Sequence, residues 1–243
     1  MKFFYDNRSC TVRVFYEPVV STSGNLFAIE LLSRIISEPG GDTIPSANFF
    51  KAANKKTVRD IFILQLRKLA ENFTFLEHSG IRCSINLTFD TAEYVLANQG
   101  VQRVIDYLKP CLCFEVSEIF FKHADTVVID NILYKLMNLC PLWLDDFGSK
   151  ASNYDALGTG FFSAVKLSAE TFHSLASDSE GRILLSALIS YIESRGMTSI
   201  IEGIEDELLF SLFMNTRATA AQGYFWPGDY ELHDLVEKYT HNN

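Results

Sequence analysis

Hydrophobic positions recur along this chain at two spacings, and the two alternate. TVRVFYEPVV alternates apolar and polar residues until Pro18, and NLFAIELLSR is a second strand-like run. From about Thr57 the period lengthens, with Val58, Phe62, Leu66, Leu69 and Phe73 on one face at helical spacing. IRCSINLT then reads as strand, AEYVLANQ and VQRVIDYLK as helices, and CLCFEVSE as strand. A helix near Thr126 to Met137 leads into the strands CPLWLDD and FFSAVKLS. GRILLSALISYIESRG predicts a helix with Ile183, Ala187, Leu188, Tyr191 and Ile192 inward and Gly196 as its C-terminal stop. MTSIIEGIE and ATAAQGYFW are the last two strands, and YELHDLVEKY closes the chain.

Eight strands interleaved with helices, with no internal repeat, low-complexity run or linker, predict one α/β domain over residues 1–243. That length and alternation favour a (β/α) barrel over an open doubly wound sheet. With 48% hydrophobic residues a sizeable core can be buried. The formal charge of −9 argues against a nucleic-acid polymer or an anionic membrane surface as partner, and leaves small anions if metal ions screen them. Cys10, Cys83, Cys111, Cys113 and Cys140 are odd in number and lack C-x-x-C spacing, so they read as reduced core thiols. MKFFYDNRSC is too poor in apolar residues for a signal peptide, and no run of about 18 apolar residues suggests a membrane span. A cytoplasmic location is the expectation.

In such barrels the chemistry sits at the C-terminal ends of the strands. Those ends supply Glu30, Asn86, Glu115, Asp145 with Asp146, Lys166, Glu202 and Gln222. Carboxylates dominate, and no thiol or imidazole is among them. Hard oxygen donors plus one amide suit Mg2+ or Mn2+ rather than zinc. The adjacent aspartates allow one to bridge and the other to complete a second ion, with two metals roughly 3.5–4 Å apart clamping an in-line displacement at phosphorus. Lys166, a lone ammonium among acids, can orient the attacking oxygen, stabilise charge on phosphorus, or form a buried ion pair.

These residues resemble a known set. ELLSR is similar to the E-A-L-x-R signature of the EAL-domain family of cyclic di-GMP phosphodiesterases, LDDFGS to its D-D-F-G-T-G loop, IEGIE to its E-G-V-E segment, and AQGYFW to its Q-G-Y strand. INLT and FEVSE fall between them in the family's order, and the likeness runs from about Tyr16 to the last helix. It is strongest to the stand-alone enterobacterial type, without a sensor domain. The resemblance implies a modified TIM (β/α)8 barrel whose first strand, TVRVFYEPV, runs antiparallel. It implies that Glu30, Asn86, Glu115 and Asp145 hold a first metal, and Asp145 and Asp146 a second. Lys166 and Glu202 match residues that position the hydrolytic water. Glu205 and Gln222 match substrate-side positions, Arg34 a phosphate contact, and Glu118 a brace for the D-D-F-G loop. The implied reaction opens one phosphodiester of cyclic di-GMP to linear pGpG with Mg2+ or Mn2+.

Several positions depart from the family pattern. Glu17 stands where Y-Q-P has glutamine, Leu31 replaces the signature alanine, Lys150 replaces the loop's second glycine, and Asp206 replaces a threonine. FWPGDY lacks the arginine common after the Q-G-Y strand. None is a metal ligand, so an active phosphodiesterase is the leading expectation. Its competitors are a degenerate member acting by protein contact, for example on a transcription regulator, and a receptor that binds cyclic di-GMP with little turnover. The family also implies homodimers through the loop after D-D-F-G, and roles in motility and surface attachment.

Overall fold

Alternation in the first forty residues builds a long antiparallel hairpin. Strands β1 (Lys2–Tyr5), β2 (Arg8–Ser21) and β3 (Leu26–Glu38) are antiparallel in succession, and β2 and β3 keep register from Ser9 opposite Glu38 to Glu17 opposite Glu30. β4 (Thr43–Ile44) pairs with the far end of β3. The computed structural model describes residues 1–5, 8–38, 40–149 and 154–240. Lys150 lies outside them.

β5 (Arg82–Asn86), β6 (Leu112–Ser117), β7 (Leu142–Phe147), β8 (Phe162–Leu167), β9 (Thr198–Ile201) and β10 (Ala220–Gln222) follow, each parallel to the one before, with β5 parallel to β3. β10 pairs antiparallel with β2, and β2 with β3. The eight strands β2, β3 and β5 to β10 therefore close into a barrel, and β2 runs against both neighbours. The barrel's first strand, β2, is antiparallel as the family resemblance implies. Helices connect the parallel strands, and among the described residues seven of them start at a side chain that accepts the backbone N–H three residues on: Asn54, Thr88, Asn98, Asp125, Ser168, Asp178 and Asp206. Asp206, unusual at its place in the motif, is thus the cap of the helix Glu207–Met214.

The hydrophobic pattern mislays some of this. It predicts Ile183, Ala187 and Tyr191 inward, but they are exposed, Leu188 is half-buried, and Leu185, Ile189 and Ile192 are the buried face of Ser179–Ser194. Apolar residues surround that helix, so spacing admits two faces and packing selects one. Gly196, with φ 78°, does follow its end. Phe73 begins a new helix, Phe73–Ser79, while Lys55–Glu71 buries Ile61, Phe62, Gln65, Leu66 and Leu69 and leaves Val58 half-buried. Strands β1 and β4 and the helices Ser46–Ala52, Phe73–Ser79, Ala169–Ala176 and Glu207–Met214 are too short for a period to register.

Two layers meet at the sheet. Ile29, Ile85, Phe114, Leu144, Val165, Ile201 and Ala221 point outward under the helices, each 0% exposed. Leu31 joins them, also fully buried, with its carbonyl accepting from the buried Gln65 amide at 2.8 Å. Inside, Val19, Ala28, Cys113, Trp143, Ala164, Ile200 and Ala220 form a separate apolar plug, edged by Phe27. All five cysteines are buried and free. No helix among the described residues is long and apolar enough to cross a membrane.

Trp143 is the largest side chain of the plug, stacked on Phe27 with ring centroids 6.4 Å apart. Trp143→Ala is expected to cost ~3–5 kcal/mol in urea unfolding, as for large core truncations generally. A loss no greater than that of an ordinary surface substitution would show that the plug does not support the barrel.

Candidate active site

A strand repeats its side-chain direction every second residue. The residue two positions past each plug residue therefore points inward as well, one level higher. Ala28 is followed by Glu30, Cys113 by Glu115, Trp143 by Asp145, Ala164 by Lys166, Ile200 by Glu202, and Ala220 by Gln222. Buried Ser84 is followed by Asn86, and on the reversed β2 Glu17 precedes Val19 by two. One polar layer thus rests on one apolar layer at the C-terminal mouth.

Lys166 is the centre of that layer and is 1% exposed. Its Nζ lies 3.0 Å from Glu30 Oε2, 3.1 Å from Glu115 Oε2, 3.0 Å from Asp145 Oδ1 and 3.0 Å from Glu202 Oε1. It donates aligned hydrogen bonds to Glu30 and Glu115, while the approach to Asp145 Oδ1 is close but unaligned. An ammonium has fewer N–H groups than there are carboxylates here, so they compete for it. Gln222 Nε2 donates to Glu30 Oε2 at 2.7 Å and to Glu17 Oε1 at 3.1 Å. Asn86 Nδ2 donates to Glu30 Oε1 at 2.7 Å, which leaves its carbonyl oxygen as the donor for an ion.

Neighbouring residues of a regular strand face opposite ways, yet Asp145 and Asp146 line the same cavity. The register breaks between Leu144 and Phe147, so both aspartates stand against the single residue Lys166 of β8. Asp146 is the one described non-glycine residue with positive φ, 57°. Such bulges re-aim side chains, and a strained backbone of this kind persists where its surroundings impose it. Gly148 follows with φ 94°, where a Cβ would strike Thr171, and its N–H donates to the buried Glu118 at 3.4 Å. Glu118 therefore sits beside that loop.

Burial sets the protonation pattern. It pushes Glu202 up to about 8 and Asp146 up to about 6, with Asp145 adding to both and Lys166 opposing. Glu115 is raised well above the usual carboxylate range by burial and by Glu30. Burial acts on Glu30 too, but Lys166 and the hydrogen bonds from Gln222 and Asn86 outweigh it and hold Glu30 low. Burial would lower Lys166, yet Asp145, Glu115, Glu202 and Glu30 together keep it firmly charged.

The other expected residues divide. Glu17 joins the layer, raised by burial and by Glu30, and lies 3.7 Å from the Arg34 guanidinium. Arg34 stands higher on β3, over the Phe15 ring at 4.7 Å. Glu205 is exposed on the loop after β9 and makes no hydrogen bond or ion pair among the described residues. The mouth opens into a cavity of about 480 Å³ bounded by Leu32, Phe50, Asn86, Thr88, Asp145 and Asp146. The sequence reading passed over Thr88, the cap of Phe89–Ala97, although its position two residues past Asn86 marks it.

The donors fit a hard divalent cation: four carboxylates, Glu30, Glu115, Asp145 and Glu202, converge on one ammonium, and a fifth, Asp146, lines the same cavity as Asp145. Among the described residues no three acids, histidines or cysteines are drawn together around an empty centre, since the acids gather on Lys166 instead.

A closed α/β barrel with an antiparallel first strand and an acidic, lysine-centred mouth is the class these features define. Residues 5–227 match the model of the EAL domain, and the chain belongs to that family. It is 29% identical over 212 residues to the cyclic di-GMP phosphodiesterase PdeH of Escherichia coli K12, covering 86% of this chain and 80% of that protein. It is 24% identical to the cyclic di-GMP phosphodiesterase RocR of Pseudomonas aeruginosa, covering 87% of this chain and 56% of that one. Among solved structures the EAL-like domain protein YdiV superposes with a TM-score of 0.82 at 20% identity, over 93% of this chain and 97% of that one. The PaMucR phosphodiesterase in complex with c-di-GMP gives 0.75 at 20% identity, over 92% and 94%.

Glu202 and Asp146 have folded-state values above their unfolded ones, so their protonation favours the fold. The stability they contribute is complete below their unfolded values and is lost as pH rises through about 6 and about 8. In chelator, the melting temperature is therefore expected to rise as pH falls from 8.5 to 5.5, taken as approximate bounds of that window. Saturating Mg2+ at the alkaline end is expected to raise it as well, because an ion that binds only the folded state stabilises it. A flat profile in chelator together with no response to Mg2+ would contradict a self-repelling acidic site.

Proposed function

We propose that this chain is a cyclic di-GMP phosphodiesterase that opens one phosphodiester of the cyclic dinucleotide to linear pGpG. The observation that carries the reading is the convergence of four carboxylates, from three strands and the residue just past β9, within 3.0–3.1 Å of Lys166 at the barrel mouth. PdeH and RocR, both cyclic di-GMP phosphodiesterases, support the substrate.

In this reading the cofactors are two ions of Mg2+ or Mn2+, one held by Glu30, Asn86, Glu115 and Asp145, the other by Asp145 and Asp146. When bound, they neutralise the acids and polarise the phosphodiester. Lys166 and Glu202, 3.0 Å apart, orient the attacking water. Glu202, which would be ionised with the cations bound beside it, takes the water's proton as the water oxygen bonds to phosphorus, the bond to the departing ribose oxygen breaks, and that oxygen is protonated from solvent. Arg34 holds a phosphate oxygen, with Gln222, Glu205 and Glu17 on the substrate side and Glu118 steadying the loop after β7. The same reading places the chain in the cytoplasm, as one barrel that lowers a second messenger linked to motility and surface attachment.

A second reading, a receptor with little turnover, is favoured by one observation: Glu17 engages both Gln222 and Arg34, two groups the substrate needs. Incubation with cyclic di-GMP and Mn2+, with products separated by chromatography, decides between them. The phosphodiesterase yields pGpG, and Glu30→Ala or Asp145→Ala abolishes it without unfolding the protein. Wild-type rates in either variant would sink the metal assignment, and binding without product would favour the receptor.

A further inference from the structure

Above the mouth, β2 and β3 continue as a two-stranded wall whose inner face carries on from the acidic layer. Paired residues rise from Glu17 and Glu30 through Phe15 and Leu32 to Arg13 and Arg34. Like charges directly opposite on neighbouring strands are unfavourable. This chain, with a formal charge of −9, nonetheless sets two guanidinium groups there. Arg13 is exposed, and among the described residues no carboxylate lies within ion-pair distance of it.

An aromatic ring backs each arginine. Arg34 lies over Phe15 at 4.7 Å, Arg13 lies over Tyr230 at 4.2 Å, and the two rings meet edge to face with centroids 5.0 Å apart. Tyr230 comes from the far end of the chain and is fixed in place. Tyr16 N donates to Asp229 O at 2.8 Å, and Asp229 N returns a bond to Tyr16 O at 2.9 Å. Gly228 lets the segment lie this close, since a Cβ there would strike Tyr16 and the Phe15 ring. An unbroken series of contacts therefore runs from the acidic layer to Arg13, through Glu17, Arg34, Phe15 and Tyr230.

We propose that Arg13, propped on Tyr230 and paired with Arg34, binds the phosphodiester of the cyclic dinucleotide that is not cleaved. This rests on the function proposed above. A cyclic dinucleotide carries two anionic phosphodiesters, and the acidic mouth with its cations takes one. Arg34 stands four residues past Glu30, about 13 Å along the strand. The second anion is thus met by two forked donors, Arg13 with no carboxylate in ion-pair distance among the described residues and Arg34 with Glu17 at 3.7 Å, in the geometry that suits phosphate oxygens. Tyr230 positions Arg13 and limits its freedom before the ligand arrives.

The test is the dissociation constant for cyclic di-GMP, by calorimetry across a salt series, in the intact protein and in Arg13→Ala, Arg13→Lys and Tyr230→Leu, with thermal melting of each. Product formation by the intact protein is followed alongside. Arg13→Ala is expected to weaken binding about tenfold or more, the usual effect of losing a charge-assisted hydrogen bond. It should also flatten the salt dependence, while Arg13→Lys recovers part of both and melting stays unchanged. Tyr230→Leu should weaken binding less than Arg13→Ala. Equal affinity and an equal salt slope in Arg13→Ala would overturn the proposal, as would a loss of affinity matched by a fall in melting temperature that Arg13→Lys does not repair. Tight binding without turnover would remove the phosphodiesterase reading while the Arg13 comparison still stands, and no binding by the intact protein would overturn both.

Discussion

One buried ammonium answering four carboxylates is the interaction on which the rest of this structure depends. Bringing charges of one sign into a barrel costs several kcal/mol per ion in lost hydration. Lys166 offsets that cost because its contacts to Glu30, Glu115, Asp145 and Glu202 are all close to 3 Å. The compensation is incomplete, which is why burial still raises Glu115, Glu202 and Asp146. That residual negative charge is what fits the site to divalent cations.

The barrel delivers these groups through the period of a strand. Small or apolar residues fill the lower interior, and the next inward position is polar on strand after strand. A single bulge adds Asp146 to a face it would otherwise point away from, and Glu118 and Gly148 fix the loop that follows. The reversed β2 contributes from the opposite direction, bringing Glu17 to the layer and, farther along, carrying the wall that bears Arg13.

Much of this was legible in the sequence because the relevant period is short and local. Polar residues at Glu30, Asn86, Glu115, Asp145, Lys166, Glu202 and Gln222 stand out at the ends of apolar runs, and the structure brings them into one layer. The inward face of Ser179–Ser194 was not legible, since apolar residues ring that helix and only packing distinguishes them. Neither was the left-handed backbone at Asp146, which depends on the register between β7 and β8. Arg13 shares its alternation with Glu17, a visible signal, but its meaning depends on Tyr230, more than two hundred residues away in the chain. Glu205 shows the converse: its motif marks it for the site, while the fold leaves it exposed at the rim.

The most direct measurement is the unfolding free energy of Lys166→Met in chelator against that of the intact protein. If one ammonium holds the acidic layer together, its removal leaves four carboxylates uncompensated, and a loss of ~3–5 kcal/mol is the result this account predicts. A loss under ~1 kcal/mol, the size of an exposed ion pair, would contradict it and show that the acids at the mouth do not depend on Lys166.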